Sequence, residues 1–268
     1  MPKARSATQT SESNRSVYEQ RSIVLQYAAD TILTPAEIQL FAQFSDDIVG
    51  KRVVDLGVGG GRTAPYLAER SAFYVGVDSS EAMVRACRER YPHLDFRRAD
   101  ARDLAQFGNG SFDFALFSFN GIDYVGHEDR ARVLCEIARV LRPGGVLVFS
   151  AHNLASVPSG TLLHRAFQVS ISANPLRSAK SIVRAAINLV NYLRNAPGQQ
   201  RTADYAVLVD PAHGFVLRTY YVTPEEQQRQ LAAAGFSSLI NVVPGTDEEV
   251  PYYLYYSARK GGRIHKQM

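Results

Sequence analysis

Residues 53–63 decide the fold and read Val53-Val54-Asp55-Leu56-Gly57-Val58-Gly59-Gly60-Gly61-Arg62-Thr63. An apolar strand at Arg52–Leu56 is predicted to run directly into the glycines, and a helix is predicted to follow them. Glycines at such a turn allow the backbone to approach a ligand closely, and the first turn of the helix offers free amide groups. The stretch therefore predicts a nucleotide-type ligand on an α/β sheet, although a glycine-rich turn is by itself a weak signal.

The spacing of these glycines excludes two common nucleotide sites. A dinucleotide fingerprint requires glycines at positions 57, 59 and 62, and position 62 is Arg62. A P-loop requires a lysine after the last glycine, and none follows. An acidic residue, Asp55, precedes the turn instead.

Strands and helices alternate around this turn. The alternation predicts a parallel sheet with right-handed crossovers and helices on its faces. The chain ends differently, because Ser238–Val243 and Pro251–Ala258 are predicted to form a hairpin. The parallel strands are predicted at Arg52–Leu56, Phe73–Val77, Leu94–Arg98, Phe112–Ser118 and Val146–Ser150, and the helices between them at Arg62–Ser71, Glu81–Tyr91 and His127–Leu141.

Two further regions accompany the sheet. Helices are predicted at 17–30 and 35–48, the second opened by a capping box at Thr34–Glu37. Residues 154–221 interrupt the alternation and are predicted to be a lid insertion between strands five and six, with a helix at roughly Ala179–Arg194. The predicted organisation is a disordered tail at 1–16, one catalytic domain at 17–258 and a basic tail at 259–268.

The composition limits the class of protein. A hydrophobic fraction of 46% is ample for a large core. Cys87 and Cys135 are too few for a disulfide framework and are expected to be buried and reduced. There is no stretch of about 18 apolar residues and no secretory signal, so a cytoplasmic location without a membrane span is expected. The net charge of +4 is mild and scattered, which argues against a nucleic-acid partner, and no metal-ligating cluster is evident, so metal independence is expected.

Two further acids follow the next two predicted strands. Asp78 ends the second strand and Asp100 follows the third. The carboxyl ends of parallel strands line the crevice in which such sheets bind ligands. A carboxylate at Asp78 can accept both ribose hydroxyls of a nucleoside, and one at Asp100 can accept from an adenine amino group. Each acid alone fits a helix N-cap or a loop turn equally well, but acids at three successive strand ends favour a nucleoside site.

With these motifs together, the chain resembles the class I S-adenosylmethionine (SAM)-dependent methyltransferases. The resemblance covers roughly residues 50–152 together with the closing helix and hairpin. It implies a Rossmann-like seven-stranded sheet of order 3-2-1-4-5-7-6, whose last strand is antiparallel, and SAM as the cofactor. The motifs that carry it are the glycine turn at 53–61, Asp78, Asp100, the segment from Phe112-Asp113 to Asn120, and the turn Leu141-Arg142-Pro143-Gly144-Gly145.

The resemblance also implies cofactor contacts. Asp55 and the amides of the glycine turn would hold the amino and carboxylate groups of SAM, and Met83 is expected to pack on the adenine. The cofactor-binding residues predicted in this way are Asp55, Gly57, Gly59, Gly61, Asp78, Met83, Asp100, Ala101 and Phe117.

The segment after the fourth strand, Phe117–Tyr124, is where these enzymes place residues that face the acceptor. It departs from the Asn/Asp-Pro-Pro-Tyr/Phe motif of many relatives that methylate DNA or RNA bases, which weakens a base-methylating interpretation. Asn120 and Asp123 are candidates to face the sulfonium or an acceptor amine, with turn capping as the alternative. His152 is a candidate general base, with a structural turn as the alternative. Tyr18 is expected to fold over the cofactor or, alternatively, to pack as an ordinary helix residue.

The insertion at 154–221 is the main indication of the substrate. Small-molecule methyltransferases often carry a lid here, and a lid excludes water and orders the reactants. Such a lid helix could also bind a membrane surface or a lipid acceptor, but a packed lid helix is the favoured interpretation. The predicted apolar face consists of Ile182, Ala186, Leu189 and Leu193, with Arg184 and Arg194 nearby.

Three functions follow from the sequence. The leading hypothesis is SAM-dependent methyl transfer to a nitrogen or oxygen of a small metabolite. The second keeps the site and cyclises SAM to azetidine-2-carboxylate with release of methylthioadenosine, as in the azetidine-2-carboxylate synthases, which the chain also resembles. The third is a SAM-binding module without catalysis. RNA modification ranks below these, and the sequence names neither the acceptor nor the oligomeric state.

Overall fold

A single mixed sheet forms the centre of the computed structural model, which describes residues 14–158, 169–237, 241–244 and 249–261. Five strands form the predicted parallel part of the sheet, and five more strands follow later in the chain. Numbered in chain order within the described residues, they are β1 (Arg52–Leu56), β2 (Phe73–Asp78), β3 (Asp95–Arg98), β4 (Phe112–Phe117), β5 (Leu141–Asn153), β6 (Gln200–Arg201), β7 (Tyr205–Val209), β8 (Arg218–Val222), β9 (Asn241–Pro244) and β10 (Tyr253–Arg259).

The sheet confirms the predicted architecture. Parallel strands lie in the order β3-β2-β1-β4-β5, β10 pairs antiparallel with β5, and β9 pairs antiparallel with β10. With β9 as the sixth and β10 as the seventh strand of the family's sheet, the order is the predicted 3-2-1-4-5-7-6. The strand β5 runs on to Asn153, past the predicted end at Ser150, so that His152 lies within the sheet.

The insertion adds three strands that the sequence analysis missed. The strand β7 pairs with β8 and β6 pairs with β7, both antiparallel, while β8 pairs parallel with the last two residues of β5. Because His152 pairs with both β10 and β8, these two strands lie on opposite edges of β5. The available signal was the apolar run Tyr205–Val209, which is typical of a short buried strand.

Helices cover both faces of the sheet. The predicted capping box is confirmed, since the Thr34 hydroxyl accepts from the Glu37 amide and the Glu37 carboxylate accepts from the Thr34 amide. None of the helices in the described ranges has both the length and the apolar character needed to cross a bilayer. The helices are α1 (Arg21–Ala29), α2 (Pro35–Gln43), α3 (Ser45–Ile48), α4 (Ala64–Arg70), α5 (Glu81–Arg90), α6 (His127–Val140), α7 (Pro175–Asn195) and α8 (Pro224–Ala233).

Two apolar cores lie on the two faces. Val53 and Val54, which are neighbours in β1, belong to different cores, as the alternation of side chains along a strand requires. The core that contains Val54 is built with α6 and α8, and the core that contains Val53 with α2, α4 and α5. Cys87 is buried as expected, whereas Cys135 is exposed, so the expectation of two buried cysteines is wrong for Cys135.

Regular structure extends past both predicted domain ends. Residues 14–18 are helical and Asn14 is buried, so the body of the protein includes residues assigned to the N-terminal tail. Arg259 is the last residue of β10 and pairs with Asp47 at 2.8 Å, so the first residue of the predicted basic tail belongs to the sheet. The rest of these tails, residues 1–13 and 262–268, lies outside the described residues.

The expectation of a packed lid helix is wrong for α7. Of the predicted apolar face, Ile182, Ala186 and Leu193 are exposed and Leu189 is half-buried. The helix is attached to the described body by its polar side instead, and Ala185 is the residue of α7 that is buried.

Candidate active site

A cleft opens at the carboxyl ends of the parallel strands, where the sequence predicts the ligand. It encloses about 1250 Å³, including its mouth. Residues that follow β1, β2, β3 and β4 line it, and residues of the helical segment 14–18 close one side. Parallel sheets of this kind bind nucleoside ligands at the carboxyl ends of their strands, so the cleft lies where such a ligand is expected.

The glycine turn forms one wall of the cleft. Gly57, Gly59 and Gly61 adopt φ values of +60°, +54° and +79°, which residues with a side chain rarely adopt. Gly60 is required for a different reason, because an added Cβ atom would lie 2.2 Å from the carbonyl oxygen of Tyr27. The turn therefore exposes main-chain atoms to the cleft, and the end of α1 packs closely against the turn.

Asp78 is fixed at the end of β2. Its Oδ2 accepts from the Gly59 amide at 2.9 Å, and its Oδ1 accepts from the Ser80 amide at 2.9 Å. Burial raises the pKa of Asp78, and these amide bonds oppose that rise. Each carboxylate oxygen keeps a further lone pair, so the donor set fits two neighbouring hydroxyls such as those of a ribose.

Asp55 is the buried acid of the glycine turn. Its Oδ2 accepts from the hydroxyl of Thr63 at 2.6 Å and from that of Tyr74 at 3.2 Å. Burial raises the pKa of Asp55 to about 7, although both hydrogen bonds lower it. Asp55 and Thr63 line the cleft, so this carboxyl is placed to receive a cationic group of a ligand.

Binding of SAM is expected to weaken as the pH falls below 7. The folded-state pKa of Asp55 is about 7, so the charged form, which would attract the SAM ammonium group, is lost as the pH falls through that value. We expect the dissociation constant, measured by titration calorimetry, to rise by about tenfold for each pH unit below the pKa. The Asp55→Asn variant should bind more weakly with a flat pH profile. A steep profile retained in that variant would assign the effect to another group.

Asp100, Ala101 and Met83 line the part of the cleft after β3. Arg102 donates to both oxygens of Asp100, at 3.0 Å and 2.7 Å, and also to Asp129 at 2.7 Å. Burial raises the pKa of Asp100, but the bonds from Arg102 outweigh it and hold the pKa below its usual range. Asp100 therefore stays ionised and able to accept from an amino group.

The segment 14–20, here called the N-terminal strap, is fastened to the insertion. The Asn14 side chain donates to the carbonyl oxygens of Tyr124 at 2.9 Å and Arg218 at 2.8 Å. Its Oδ1 accepts from the Arg218 amide at 3.2 Å. Because Arg218 begins β8, Asn14 ties the strap to a strand of the insertion.

A second fastening joins the strap to the start of α5. The hydroxyl of Ser80 donates to the carbonyl oxygen of Tyr18 at 3.1 Å. The Glu19 carboxylate accepts from the amides of Glu81 and Ala82, at 2.9 Å and 3.2 Å. A carboxylate is favourable there, because the first amides of a helix are unpaired and carry partial positive charge.

Asn14→Ala is expected to loosen the strap. Three hydrogen bonds to main-chain groups are lost, and a typical hydrogen bond contributes about 1 kcal/mol. We expect faster amide exchange in residues 14–20 and faster SAM dissociation, by about tenfold. Gln26→Ala, at an exposed position of α1, is the control. Exchange and dissociation rates equal to those of the parent would mean that Asn14 does not hold the strap.

Aromatic rings line the cleft beneath the strap. The Tyr18 ring lies 5.3 Å from that of Tyr124, 5.9 Å from that of Tyr27 and 5.9 Å from that of His213, centroid to centroid. Burial raises the pKa of the three tyrosines and lowers that of His213, so the rings are neutral near pH 7. Neutral aromatic faces favour a cation such as a sulfonium.

The turn after β4 has a strained backbone. Phe119 and Asn120 have φ values of +54° and +60°, a conformation that costs roughly 1–2 kcal/mol for a residue with a side chain. The Asn120 amide donates to the Ser150 hydroxyl at 2.7 Å, which holds the turn in place. Phe119 lines the cleft. Strain of this kind is concentrated at functional sites.

A hydrogen-bonded chain joins this turn to the end of β5. His152 Nδ1 lies 2.8 Å from Asp123 Oδ2, and His152 Nε2 lies 3.3 Å from Asn120 Nδ2. Because an amide nitrogen only donates, its contact makes Nε2 the acceptor, and Nδ1 is then the nitrogen that donates to Asp123. Arg130 Nη1 lies 2.6 Å from Asp123 Oδ1, and both side chains are fully buried, so the Asp123 charge is balanced.

A second buried polar group flanks His152. The rings of Tyr221 and Tyr252 lie 5.2 Å and 5.0 Å from the imidazole. Both hydroxyls contact the Asp210 carboxylate, and they lie 3.0 Å from each other. Tyr221 of the insertion and Tyr252, which precedes β10, therefore both pack against the histidine.

Known proteins resemble this chain over the same region. The family model described as a methyltransferase domain matches residues 53–145, from the glycine turn to the start of β5. A phthiotriol/phenolphthiotriol dimycocerosates methyltransferase 1 from Mycobacterium ulcerans is 34% identical over 172 residues, which are 60% of this chain and 61% of that protein. The predicted resemblance to the class I SAM-dependent methyltransferases is therefore confirmed over this region. The chain spans less than two thirds of that relative's length.

Two further comparisons describe proteins that this chain resembles. A ubiquinone biosynthesis O-methyltransferase from Hahella chejuensis is 37% identical over 108 residues, which are 39% of this chain and 44% of that protein. A crystal structure of the 1,6-didemethyltoxoflavin-N1-methyltransferase of Burkholderia thailandensis, with 1,6-didemethyltoxoflavin and S-adenosylhomocysteine bound, superimposes with a TM-score of 0.60. The superposition covers 96% of this chain and 92% of the methyltransferase chain. Because the two sequences are only 18% identical, the similarity shows the fold alone.

The predicted site residues fall into two groups, one outside the lining of the cleft and one within it. Asn120, Asp123 and His152 lie together beside the turn after β4 and are outside the lining of the cleft. Gly61 is also outside the lining, and an added Cβ there would meet Tyr91 and Cys87. The predicted residues that line the cleft are Tyr18, Asp55, Gly57, Gly59, Asp78, Met83, Asp100, Ala101 and Phe117.

The sequence analysis missed one polar cluster at the cleft. Arg62 pairs with the fully buried Glu37, and the Ser118 hydroxyl donates to the same carboxylate. Arg62 and Ser118 line the cleft. The sequence analysis used Arg62 only to exclude a dinucleotide site, and it assigned Glu37 only a capping role. The available signal was an acid among the apolar residues Ala36, Ile38 and Leu40.

Proposed function

We propose that this chain transfers a methyl group from SAM to an oxygen or nitrogen atom of a small acceptor molecule. The observation that carries the proposal is the chain Asn120–His152–Asp123 beside the cleft. It supplies a positioned base, which methyl transfer to a hydroxyl requires and simple cofactor binding does not.

Different residues of the cleft would bind different parts of the cofactor. The glycine-turn amides and Asp55 would hold its amino-acid end, Asp78 its ribose and Asp100 its adenine. When bound, SAM supplies a methyl group on a cationic sulfur that needs no further activation. The rings of Tyr18, Tyr27 and Tyr124 would surround the cation and exclude water.

His152 would act as the general base. Its Nε2 lone pair receives the proton of the acceptor hydroxyl or amine, and the Asp123 carboxylate stabilises the resulting imidazolium. Asn120 Nδ2 contacts Nε2 in this structure, so the acceptor must displace that amide. Asn120 Oδ1 is buried and has no hydrogen-bond partner among the described residues. An acceptor N–H or O–H group would satisfy it, which makes Asn120 the residue that orients the acceptor.

The relatives support a small acceptor. One is named for phthiotriol and phenolphthiotriol dimycocerosates and another is an O-methyltransferase of ubiquinone biosynthesis. Both names describe small-molecule acceptors, and the second specifies oxygen. We therefore place hydroxylated compounds first among the candidate acceptors and nucleic acids outside them.

Incubation of the full chain with SAM, with and without a panel of hydroxylated and aminated acceptors, tests the proposal. Products are identified by mass. S-adenosylhomocysteine together with an acceptor heavier by one methylene supports it. Methylthioadenosine formed without any acceptor would establish cyclisation instead. SAM binding without turnover across the panel would favour a binding module.

A further inference from the structure

The helix α7 exposes an aliphatic stripe along its length. Val183, Ile187, Val190 and Leu193 follow one another at intervals of four, three and three residues, so their side chains lie on one face of the helix. The exposed fractions are 64% for Leu176, 56% for Ile182, 58% for Val183, 55% for Ile187, 55% for Val190 and 60% for Leu193. Ile171, before the helix, is 87% exposed. Contiguous apolar surface of this extent marks an interaction site in a soluble domain.

The opposite side of α7 fixes the direction of the stripe. The side-chain amides of Asn191 and Asn195 donate to the carbonyl oxygens of Gly214 and Phe215, at 2.8 Å and 3.1 Å. The Tyr192 ring packs against that of Phe215 with centroids 6.0 Å apart. These contacts hold the helix so that the stripe faces away from the described body.

The charge of α7 has one sign. Arg177, Lys180, Arg184 and Arg194 are exposed, and the helix contains no acidic residue. A second copy of the same helix would bring these cations together, which opposes self-association. An anionic surface with an apolar interior satisfies both features of the helix, because interfacial helices carry an apolar face and basic residues beside it.

We propose that α7 lies in the surface of a bilayer that contains anionic phospholipids, with its stripe in the acyl region and its basic side chains at the head groups. The inner side of α7 lies close to the cleft, because His213, in the turn that this side contacts, packs against Tyr18 and Tyr27. The proposal concerns attachment and is independent of the methyl-transfer reaction.

Sedimentation with vesicles of phosphatidylcholine alone, or with added phosphatidylglycerol, tests this with the full chain. We expect binding to the phosphatidylglycerol vesicles that weakens with added salt. Ile187→Asp should weaken it by about tenfold or more, the loss expected when one buried isoleucine is removed. Lys180→Ser and Arg184→Ser should each weaken it by about fivefold. Ile38→Asp, at a position of α2 that is 57% exposed, is the matched control and should bind like the parent.

Unfolding temperatures of all variants are compared first, so that a misfolded variant is recognised and replaced by Val183→Asp or Val190→Asp. A parent chain that does not sediment with phosphatidylglycerol vesicles overturns the proposal, because the stripe is then covered in solution. Self-association that Ile187→Asp abolishes, without vesicle binding by the parent, overturns it in favour of a second copy. Equal loss of binding in Ile38→Asp and Ile187→Asp overturns the assignment to α7.

Discussion

His152→Asn is expected to lower kcat by about 10²- to 10⁴-fold, the range that a general base contributes. The asparagine amide retains a donor towards Asp123 but has no counterpart of the Nε2 lone pair. The residues that line the cleft are unchanged, so the SAM dissociation constant should stay within about twofold. Steady-state kinetics with an acceptor found by the mass-based screen, together with calorimetric SAM binding, measure the two effects separately.

His127→Asn is the matched control. His127 stacks on Tyr205 at a centroid distance of 3.9 Å and contacts the Tyr220 hydroxyl, away from the cleft. Added imidazole should restore activity to His152→Ala, since a free base can then enter the space. Equal kcat values for His152→Asn and the parent would rule out His152 as the base. Asp123 is unsuitable for this test, because its removal leaves the Arg130 charge buried, which costs about 3–5 kcal/mol in stability.

Asp78→Ala is expected to weaken SAM binding by about 100-fold or more. If Asp78 is the ribose partner, the variant loses two charge-assisted hydrogen bonds, and such bonds contribute about 1.5–3 kcal/mol each. The Gly59 and Ser80 amides also lose their acceptor, which loosens the glycine turn. Titration calorimetry measures the affinity, and Asp78→Asn, with one carbonyl acceptor, should be intermediate.

Asp95→Ala provides the comparison for this loss. Asp95 begins β3 on the neighbouring strand and pairs with Arg97 at 2.6 Å, outside the cleft. Its variant should bind SAM like the parent. If Asp78→Ala binds SAM as tightly as Asp95→Ala while remaining folded, Asp78 is not the ribose partner.

The sequence predicted the features that depend on local rules. The parallel sheet followed from the alternation of strands and helices, and Asp55, Asp78 and Asp100 followed from the rule that ligands bind at the carboxyl ends of strands. The capping box at Thr34 needed only four consecutive residues. These features are encoded within short stretches, so the sequence reveals them without knowledge of the fold.

Features that join distant parts of the chain were not predictable in the same way. Asn14 contacts Arg218 across 204 residues, and no local pattern indicates that pairing. Asp123 and His152 were both candidates, but their contact depends on β5 running past its predicted end. The predicted apolar face of α7 shares Ile182 and Leu193 with the outward stripe, and the direction of the stripe depends on which side of the helix reaches Gly214.

The bond between Asn14 and β8 has a kinetic consequence. The strap lies over the cofactor cleft, and Tyr221 of β8 lies against His152, where the acceptor would react. Because the Asn14 side chain joins the strap to β8, these two elements are expected to move away from the site together. An acceptor that holds β8 in place should then slow the departure of the nucleoside product, and by thermodynamic reciprocity each ligand should raise the affinity for the other. Methyl donor and acceptor would thus bind with positive cooperativity, although they touch different walls.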